Sequence, residues 1–365
     1  MQPEITYADA GVSTQAGDRA VELMRQAVAA THGANVPGGF GGFAGLYDIG
    51  AIKTMNRPLL ATSTDGVGTK IELARQLDIH DTIGQDLVAM VIDDIVVIGA
   101  TPLFMTDYIA CGTVVPERIA AIVSGIARAC HTCDTALIGG ETAEHPGVLA
   151  ADEYDLAGAV TGVVDADAMI GPQRVREGDA VIALAASGLH SNGYSLVRAT
   201  LEAANIDLHA HSDDFGRTIG EELLEPTRLY APICLPMIEA VEIHALAHIT
   251  GGGLAANIAR VIPRGLRARL IRSSWHVPPV FTAVQAWGNV PWEDLEGTLN
   301  LGVGMAVIAP SDSVATIEQM AAAAGCDTWL LGEVISEDIV ADGTVVAGTK
   351  GVDGGSVELL GDYRF

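Results

Sequence analysis

At 365 residues the chain has room for two domains, and 49% hydrophobic but only 5% aromatic residues point to an aliphatic, Gly/Ala-rich core and not to disorder. Twenty basic against 46 acidic side chains, a net charge of −26, argue against nucleic acid and anionic membranes as partners, because both need a basic footprint. No apolar run reaches the ~18 residues of a membrane helix, Met1-Gln2-Pro3-Glu4 lacks a signal-peptide pattern, and five cysteines suit a reducing compartment, so a cytoplasmic location is expected.

Residues 1–57 are weakly periodic. Gly38-Gly39-Phe40-Gly41-Gly42-Phe43-Ala44-Gly45 contains a Gly-x-Gly-x-x-Ala match. With Pro37 before it and no helix signal after it, it reads as a flexible loop or lid and not as a dinucleotide turn. Pro58-Leu59-Leu60-Ala61-Thr62 reads as a buried strand leading into Ser63-Thr64-Asp65-Gly66-Val67-Gly68-Thr69-Lys70. Gly66 and Gly68 let backbone N–H groups approach an anion. Lys70 adds a charge, Thr69 a hydroxyl, and Asp65 a carboxylate for a divalent cation. These are the parts of a Mg-polyphosphate grip, though not in P-loop order; an ordinary strand-to-helix turn with a solvated lysine is the alternative.

Residues 82–98 read as a largely buried helix, with Leu87, Met90, Val91, Ile95 and Ile98 at helical spacing. Asp86, Asp93 and Asp94 interrupt it. Buried carboxylates are costly unless paired or bound to metal. Asp86 and Asp93 fall near one face, with Asp94 turned about a quarter of the way round. A strand at Leu103–Ile109 and a helix opened by Pro116-Glu117 follow. Cys130-His131-Thr132-Cys133 has no second pair at metal-site spacing and reads as two small residues near a helix end. Ala136-Leu137-Ile138 reads as a short strand running into a second strand-end glycine turn, Gly139-Gly140-Glu141-Thr142-Ala143-Glu144, whose acids suit a metal or phosphate role. Tyr154–Val164 is a further strand, which gives a β-α-β-α-β-β order.

Gly171-Pro172 and Glu177-Gly178-Asp179 mark a domain boundary. A strand, Ala180–Ala186, breaks at Ser187-Gly188-Leu189-His190-Ser191-Asn192-Gly193, and a helix starts at Tyr194. This is the architecture of an anion site, with His190 a hydrogen-bonding residue in preference to a general base. Residues 200–247 are mostly helical. His248-Ile249-Thr250-Gly251-Gly252-Gly253 precedes another helix. Glycine there costs roughly 1 kcal/mol per residue against alanine, which close approach to a ligand or tight helix packing would justify. Strands at Leu301–Met305 and Trp329–Val334 flank a helix at Asp312–Ala324. The stretch from Ser336 reads as a hairpin or mobile tail.

Seven motifs occur in order: Thr64–Lys70, Asp86–Met90, Gly139–Glu144, Ser187–Leu196, Leu224–Arg228, His248–Gly253 and Asn300–Met305. Together, from about Tyr7 to Val334, they resemble the phosphoribosylformylglycinamidine cyclo-ligase (aminoimidazole ribonucleotide synthetase) family. The chain has Asp93-Asp94 where that family usually has Asn-Asp, and His145 where it usually has methionine.

The resemblance implies an α/β (α+β) fold. Its N-terminal ATP- and metal-binding domain (1–170) would pair across a homodimer into a barrel. A C-terminal mixed sheet with helices (171–345) and a tail (346–365) complete the chain. It implies ATP-dependent closure of formylglycinamidine ribonucleotide to aminoimidazole ribonucleotide, with Mg²⁺. Asp65, Asp94 and Glu141 would be metal ligands, and Gly66, Gly68, Thr69, Lys70, Gly139 and Gly140 would hold phosphates. Ser187, Gly188, His190, Ser191, Asn192, Thr250, Gly251, Gly252 and Gly253 would bind substrate, and Lys70 and His190 are the candidates for direct participation. The related superfamily includes a large amidotransferase, for which the chain is too short. It also includes selenophosphate synthetase, which has an N-terminal cysteine where this chain's first is Cys111, and a hydrogenase maturation protein whose terminal cysteine is replaced here by Gly361–Phe365. Thiamine-phosphate kinase and a non-catalytic nucleotide-binding regulator are the alternatives.

Overall fold

The computed structural model describes residues 11–38, 41–348 and 354–365. They fall into two compact units, one within Met1–Ile95 and Thr101–Asp167, the other Val96–Ala100 with Ala168–Phe365.

The first unit contains α1 (Thr14–Ala29), β1 (Pro58–Gly66), α2 (Lys70–Leu77), α3 (Thr82–Val96), β2 (Thr101–Cys111), α4 (Pro116–Thr132), β3 (Ala136–Glu144) and β4 (Tyr154–Asp165). Its sheet runs β1-β4-β2-β3. All pairs are antiparallel except β2 with β3, which the α4 crossover makes parallel. Met105, Asp107, Ile109 and Cys111 of β2 are buried while Thr106 and Tyr108 are exposed, so one face is covered and the other open. Small residues set the close packing: a Cβ on Gly158 would lie 3.1 Å from Leu87, and one on Gly84 would lie 2.4 Å from the Ile126 backbone nitrogen where α3 meets α4. Ser13 caps α1 by accepting from the Ala16 N–H at 3.2 Å.

Two local expectations change. Pro58–Thr62 is mostly exposed, Leu60 at 66%, because β1 is an edge strand with, among the described residues, β4 alone beside it. Gly139–Glu144 is not a turn: β3 continues through it, the two glycines pairing with Thr106 and Asp107. Sheet pairing overrides the weak strand preference of glycine.

The second unit contains β5 (Ala180–Ala185), α5 (Tyr194–Ala203), the small hairpin β6 (His211–Ser212) and β7 (Arg217–Thr218), α6 (Ile219–Leu223), α7 (Ala231–Ala240), β8 (Ala245–His248), α8 (Gly253–Ala259), β9 (Leu266–Ile271), α9 (Pro279–Gly288), α10 (Trp292–Glu296), β10 (Val303–Ala309), α11 (Val314–Ala323), β11 (Thr328–Ser336), β12 (Thr344–Ala347) and β13 (Ser356–Leu360). Its main sheet runs β12-β13-β9-β11-β5-β10-β8. Val181, Ala183, Ala268, Leu270, Ala306 and Ile308 of the sheet pack with Leu254, Ile258 and Ala259 of α8 in one aliphatic core. The C-terminal stretch is built into this sheet: β12 and β13 form an antiparallel hairpin, and β13 lies parallel to β9. The mixed α/β fold is as expected. No described helix is long and apolar enough to cross a membrane.

Candidate active site

In the first unit, β1 ends at Gly66, Val67 donates its N–H to the Leu156 carbonyl at 3.3 Å, and Gly68 takes φ +73°. That left-handed conformation is why a glycine stands there. Thr69 is the N-cap of α2 and Lys70 its first residue. Asp65, Gly68 and Thr69 are exposed, and the Asp65 carboxylate accepts from the Gly66 N–H at 2.7 Å. Lys70 is fully buried, and its ammonium donates to Asp86 of α3 at 2.9 Å. Asp93 is buried and Asp94 exposed.

Strand register fixes how far apart the acidic candidates stand. Asp65 pairs with Gly158, Gly158 with Asp107, and Asp107 with Gly140. Three strand spacings of about 4.8 Å put Asp65 and the β3 edge carrying Glu141 roughly 14 Å apart. Within one chain the two edges are therefore separate, and no described cluster of three or more acids, histidines or cysteines could enclose a metal ion. Cys130 and Cys133 are buried and burial raises both thiols, so they are held protonated.

A cavity of about 570 Å³ lies in this unit, between α1, the Gly41–Leu46 loop, β3 and Asp107. Gly139, Gly140 and Glu141 form part of its wall. Asp107, only 9% exposed, is a residue that motif spacing did not single out. Burial pushes its carboxyl up to about 7.

In the second unit, the later motifs converge. His190 is buried with φ +63°, and its Nε2 accepts from the Ser187 N–H at 3.2 Å. Ser187 Oγ donates to the Pro226 carbonyl at 2.6 Å, which ties the Ser187–Gly193 turn to the Leu224–Arg228 motif. Asn300 donates to the Gly188 carbonyl at 3.0 Å and accepts from the Gly302 N–H at 2.8 Å. A Cβ on Gly304 would strike the Tyr230 hydroxyl at 1.9 Å and the His190 ring at 2.5 Å. Gly251 faces Asn192 Oδ1, 3.3 Å from where its Cβ would be. Ser187, His190, Asn192 and the Thr250–Gly253 turn are thereby gathered in one neighbourhood. Ser191 Oγ is buried with no hydrogen-bond partner among the described residues.

The Thr250–Gly253 turn is braced from within. Asn257 donates to the carbonyls of Thr250 at 3.1 Å and Gly253 at 2.8 Å. A Cβ on Gly253 would sit 1.8 Å from the Glu296 carbonyl oxygen, so the last glycine serves the packing of α8 on α10.

Residues 46–164 match the AIR synthase related protein N-terminal domain, and 176–342 the C-terminal domain. The two units are thus those of the AIR synthase related class. Within it, the chain is 44% identical over 333 residues to the phosphoribosylformylglycinamidine cyclo-ligase of Alkaliphilus oremlandii, covering 91% of this chain and 97% of that one. It is 47% identical over 330 residues to the same-named protein of Desulfitobacterium hafniense, covering 90% and 96%. The chain belongs to the phosphoribosylformylglycinamidine cyclo-ligase family. Among solved structures it is similar to the thiamine-monophosphate kinase of Stenotrophomonas maltophilia (TM-score 0.62, 16% identity, 94% and 96% covered). It is also similar to the hydrogenase maturation protein HypE of E. coli (TM-score 0.62, 18% identity, 91% and 93% covered). Those likenesses show the fold alone.

Proposed function

We infer that the chain closes the imidazole ring of aminoimidazole ribonucleotide in purine biosynthesis, using ATP. The observation that carries this reading is identity of 44–47% with proteins of that name over at least nine-tenths of the chain. ATP phosphorylates the formyl oxygen of formylglycinamidine ribonucleotide, releasing ADP. The amidine nitrogen attacks the activated carbon, phosphate leaves with that oxygen, and loss of a proton completes the ring. The chemistry asks the protein mainly for positioning and charge neutralisation.

The proposed phosphate cradle is Gly66, Gly68 and Thr69 at the start of α2; Gly139 and Gly140 along β3 stand three strand spacings away and, like Glu141, would join it only across two chains. Lys70 acts there from its pair with Asp86. The exposed carboxylates Asp65 and Asp94 are hard oxygen donors that suit Mg²⁺ arriving with a nucleotide. Glu141 would join them only across two chains, given its distance along the sheet. Bound Mg²⁺ would neutralise phosphate charge. The Ser187–Asn192 and Thr250–Gly253 turns would hold the ribonucleotide, with Ser191 Oγ available to it. His190, its Nε2 committed to the Ser187 N–H, is better placed to shape this turn than to move protons.

A homodimer fits the open sheet of the first unit, where Leu59, Leu60 and Tyr108 are exposed and β1 and β3 are unpaired edges. A cytoplasmic enzyme without nucleic-acid or membrane partners fits the −26 charge. The test is to mix protein, MgATP and formylglycinamidine ribonucleotide. ADP, phosphate and aminoimidazole ribonucleotide are expected in equal amounts. ATP consumption that ignores the ribonucleotide but responds to thiamine phosphate would replace this reading with a kinase.

A further inference from the structure

The segment that ends at Phe365 lies past residue 342, where the match to the C-terminal family domain stops. In the second unit it is held by aromatic and ionic contacts. β13 runs beside β9, and the Arg364 carbonyl accepts from the Val277 N–H at 2.9 Å. Tyr363 packs edge-on against Trp275, with ring centroids 5.4 Å apart, and the Phe365 ring lies 4.5 Å from that of Trp292 in α10. The Tyr363 hydroxyl donates to the carboxylate of Glu296, the last residue of α10. Arg272 grips the same carboxylate at 2.7 and 2.9 Å. It also donates to the carbonyls of Leu359 at 3.2 Å and Gly361 at 3.1 Å, so it ties α10 to the terminal segment.

From α10 the chain runs on past both proposed substrate turns. The Glu296 carbonyl oxygen would lie 1.8 Å from a Cβ on Gly253, and Leu299 would meet a Cβ on Gly193 at 2.4 Å. Asn300 donates to the Gly188 carbonyl at 3.0 Å. Trp275, whose ring Tyr363 meets, donates from Nε1 to the Leu301 carbonyl at 2.9 Å. Residues 296–301 therefore touch both turns and the terminal cluster. Contacts as close as those at Gly253 and Gly193 leave no slack, so a shift of α10 moves the turns with it. We propose that Tyr363 and Phe365 are positioning residues for the ribonucleotide. Acting through α10 and Trp275, they fix residues 296–301 and so the spacing of the Ser187–Gly193 and Thr250–Gly253 turns. The proposal rests on the reading of those turns as the ribonucleotide site and adds what sets their geometry.

The test measures steady-state kinetics and thermal unfolding of the full-length wild type, Tyr363→Ala, Tyr363→Phe and Phe365→Ala. Small misplacements of binding groups weaken substrate selectively, so Tyr363→Ala should raise KM for formylglycinamidine ribonucleotide about fivefold or more while KM for ATP stays within about twofold. Tyr363→Phe keeps the ring against Trp275 and should recover most of that loss. A role in stability alone would lower the unfolding temperature and leave both KM values unchanged. A folded Tyr363→Ala protein with unchanged ribonucleotide KM, or with both KM values raised alike, overturns the proposal. If Tyr363→Ala does not fold, Phe365→Ala decides, because Phe365 is 64% exposed and its loss leaves the core intact. A ribonucleotide KM raised about twofold or more in that variant supports the proposal, and an unchanged one overturns it. Wild type that closes the ring while an overturning result holds leaves the enzymatic reading intact. Wild type without ribonucleotide-dependent turnover removes that reading and this proposal with it.

Discussion

Lys70 and Asp86 stand 16 residues apart, each fully buried, with two nitrogen–oxygen contacts of 2.9 Å between them. Motif spacing marked Lys70 as a phosphate ligand and Asp86 as one of three helix aspartates, but it did not announce their pairing. The pairing depends on how α2 and α3 meet, which periodicity does not encode. Removing one partner of such a pair leaves the other charge buried and costs about 3–5 kcal/mol, whereas replacing both is far less costly. Lys70→Met should therefore lower the chemical denaturation midpoint markedly, and Lys70→Met with Asp86→Leu should recover most of the loss. A stable single variant would mean the pair is not buried as described. Asp107 allows a pH test. Its folded value of about 7 lies above the ordinary carboxyl value of 3.8, so its contribution to stability is fully present below pH ~4 and is lost as pH rises through 7. Wild type minus Asp107→Asn, in unfolding free energy, should fall by at most about 1.4 kcal/mol per pH unit between pH 4 and 7 and flatten above. A flat difference would show that the carboxyl is solvated.

The elements themselves were largely legible because their signals are local. Pro116 and Glu117 open α4 where the chain leads one to expect it, and the apolar run at Ala180 forms β5. What local reading missed was set by pairing at a distance. Gly139–Glu144 looks like a turn but is held extended by β2; the stretch after Ser336 reads as a hairpin or a mobile tail, and of the two it forms the hairpin, whose place beside β9 local signals do not give. The three glycines at 251–253 left two explanations open, ligand approach or packing, and Gly253 serves packing. Gly253→Ala would place a methyl 1.8 Å from the Glu296 oxygen at φ +74°. It should destabilise the protein by at least ~2 kcal/mol, measured by thermal or urea unfolding. A change below about 0.5 kcal/mol would show that α10 yields easily.

At the scale of the whole molecule, the charge balance and the ordered motifs narrowed the function more than any single site did. Each site residue alone has a structural explanation; the convergence of the later motifs around His190, Tyr230 and Asn300 is a property of the folded unit. The open face and edges of the first sheet predict a homodimer, so light scattering at micromolar concentration should give about twice the 37.8 kDa chain mass; a monomer mass would contradict it. The central claim is that ATP activates the formyl oxygen for ring closure. Formylglycinamidine ribonucleotide labelled with heavy oxygen at the formyl group, turned over with unlabelled MgATP, tests it most directly. The account predicts one labelled oxygen in each phosphate released with aminoimidazole ribonucleotide. Unlabelled phosphate, with the label found in water, would contradict it.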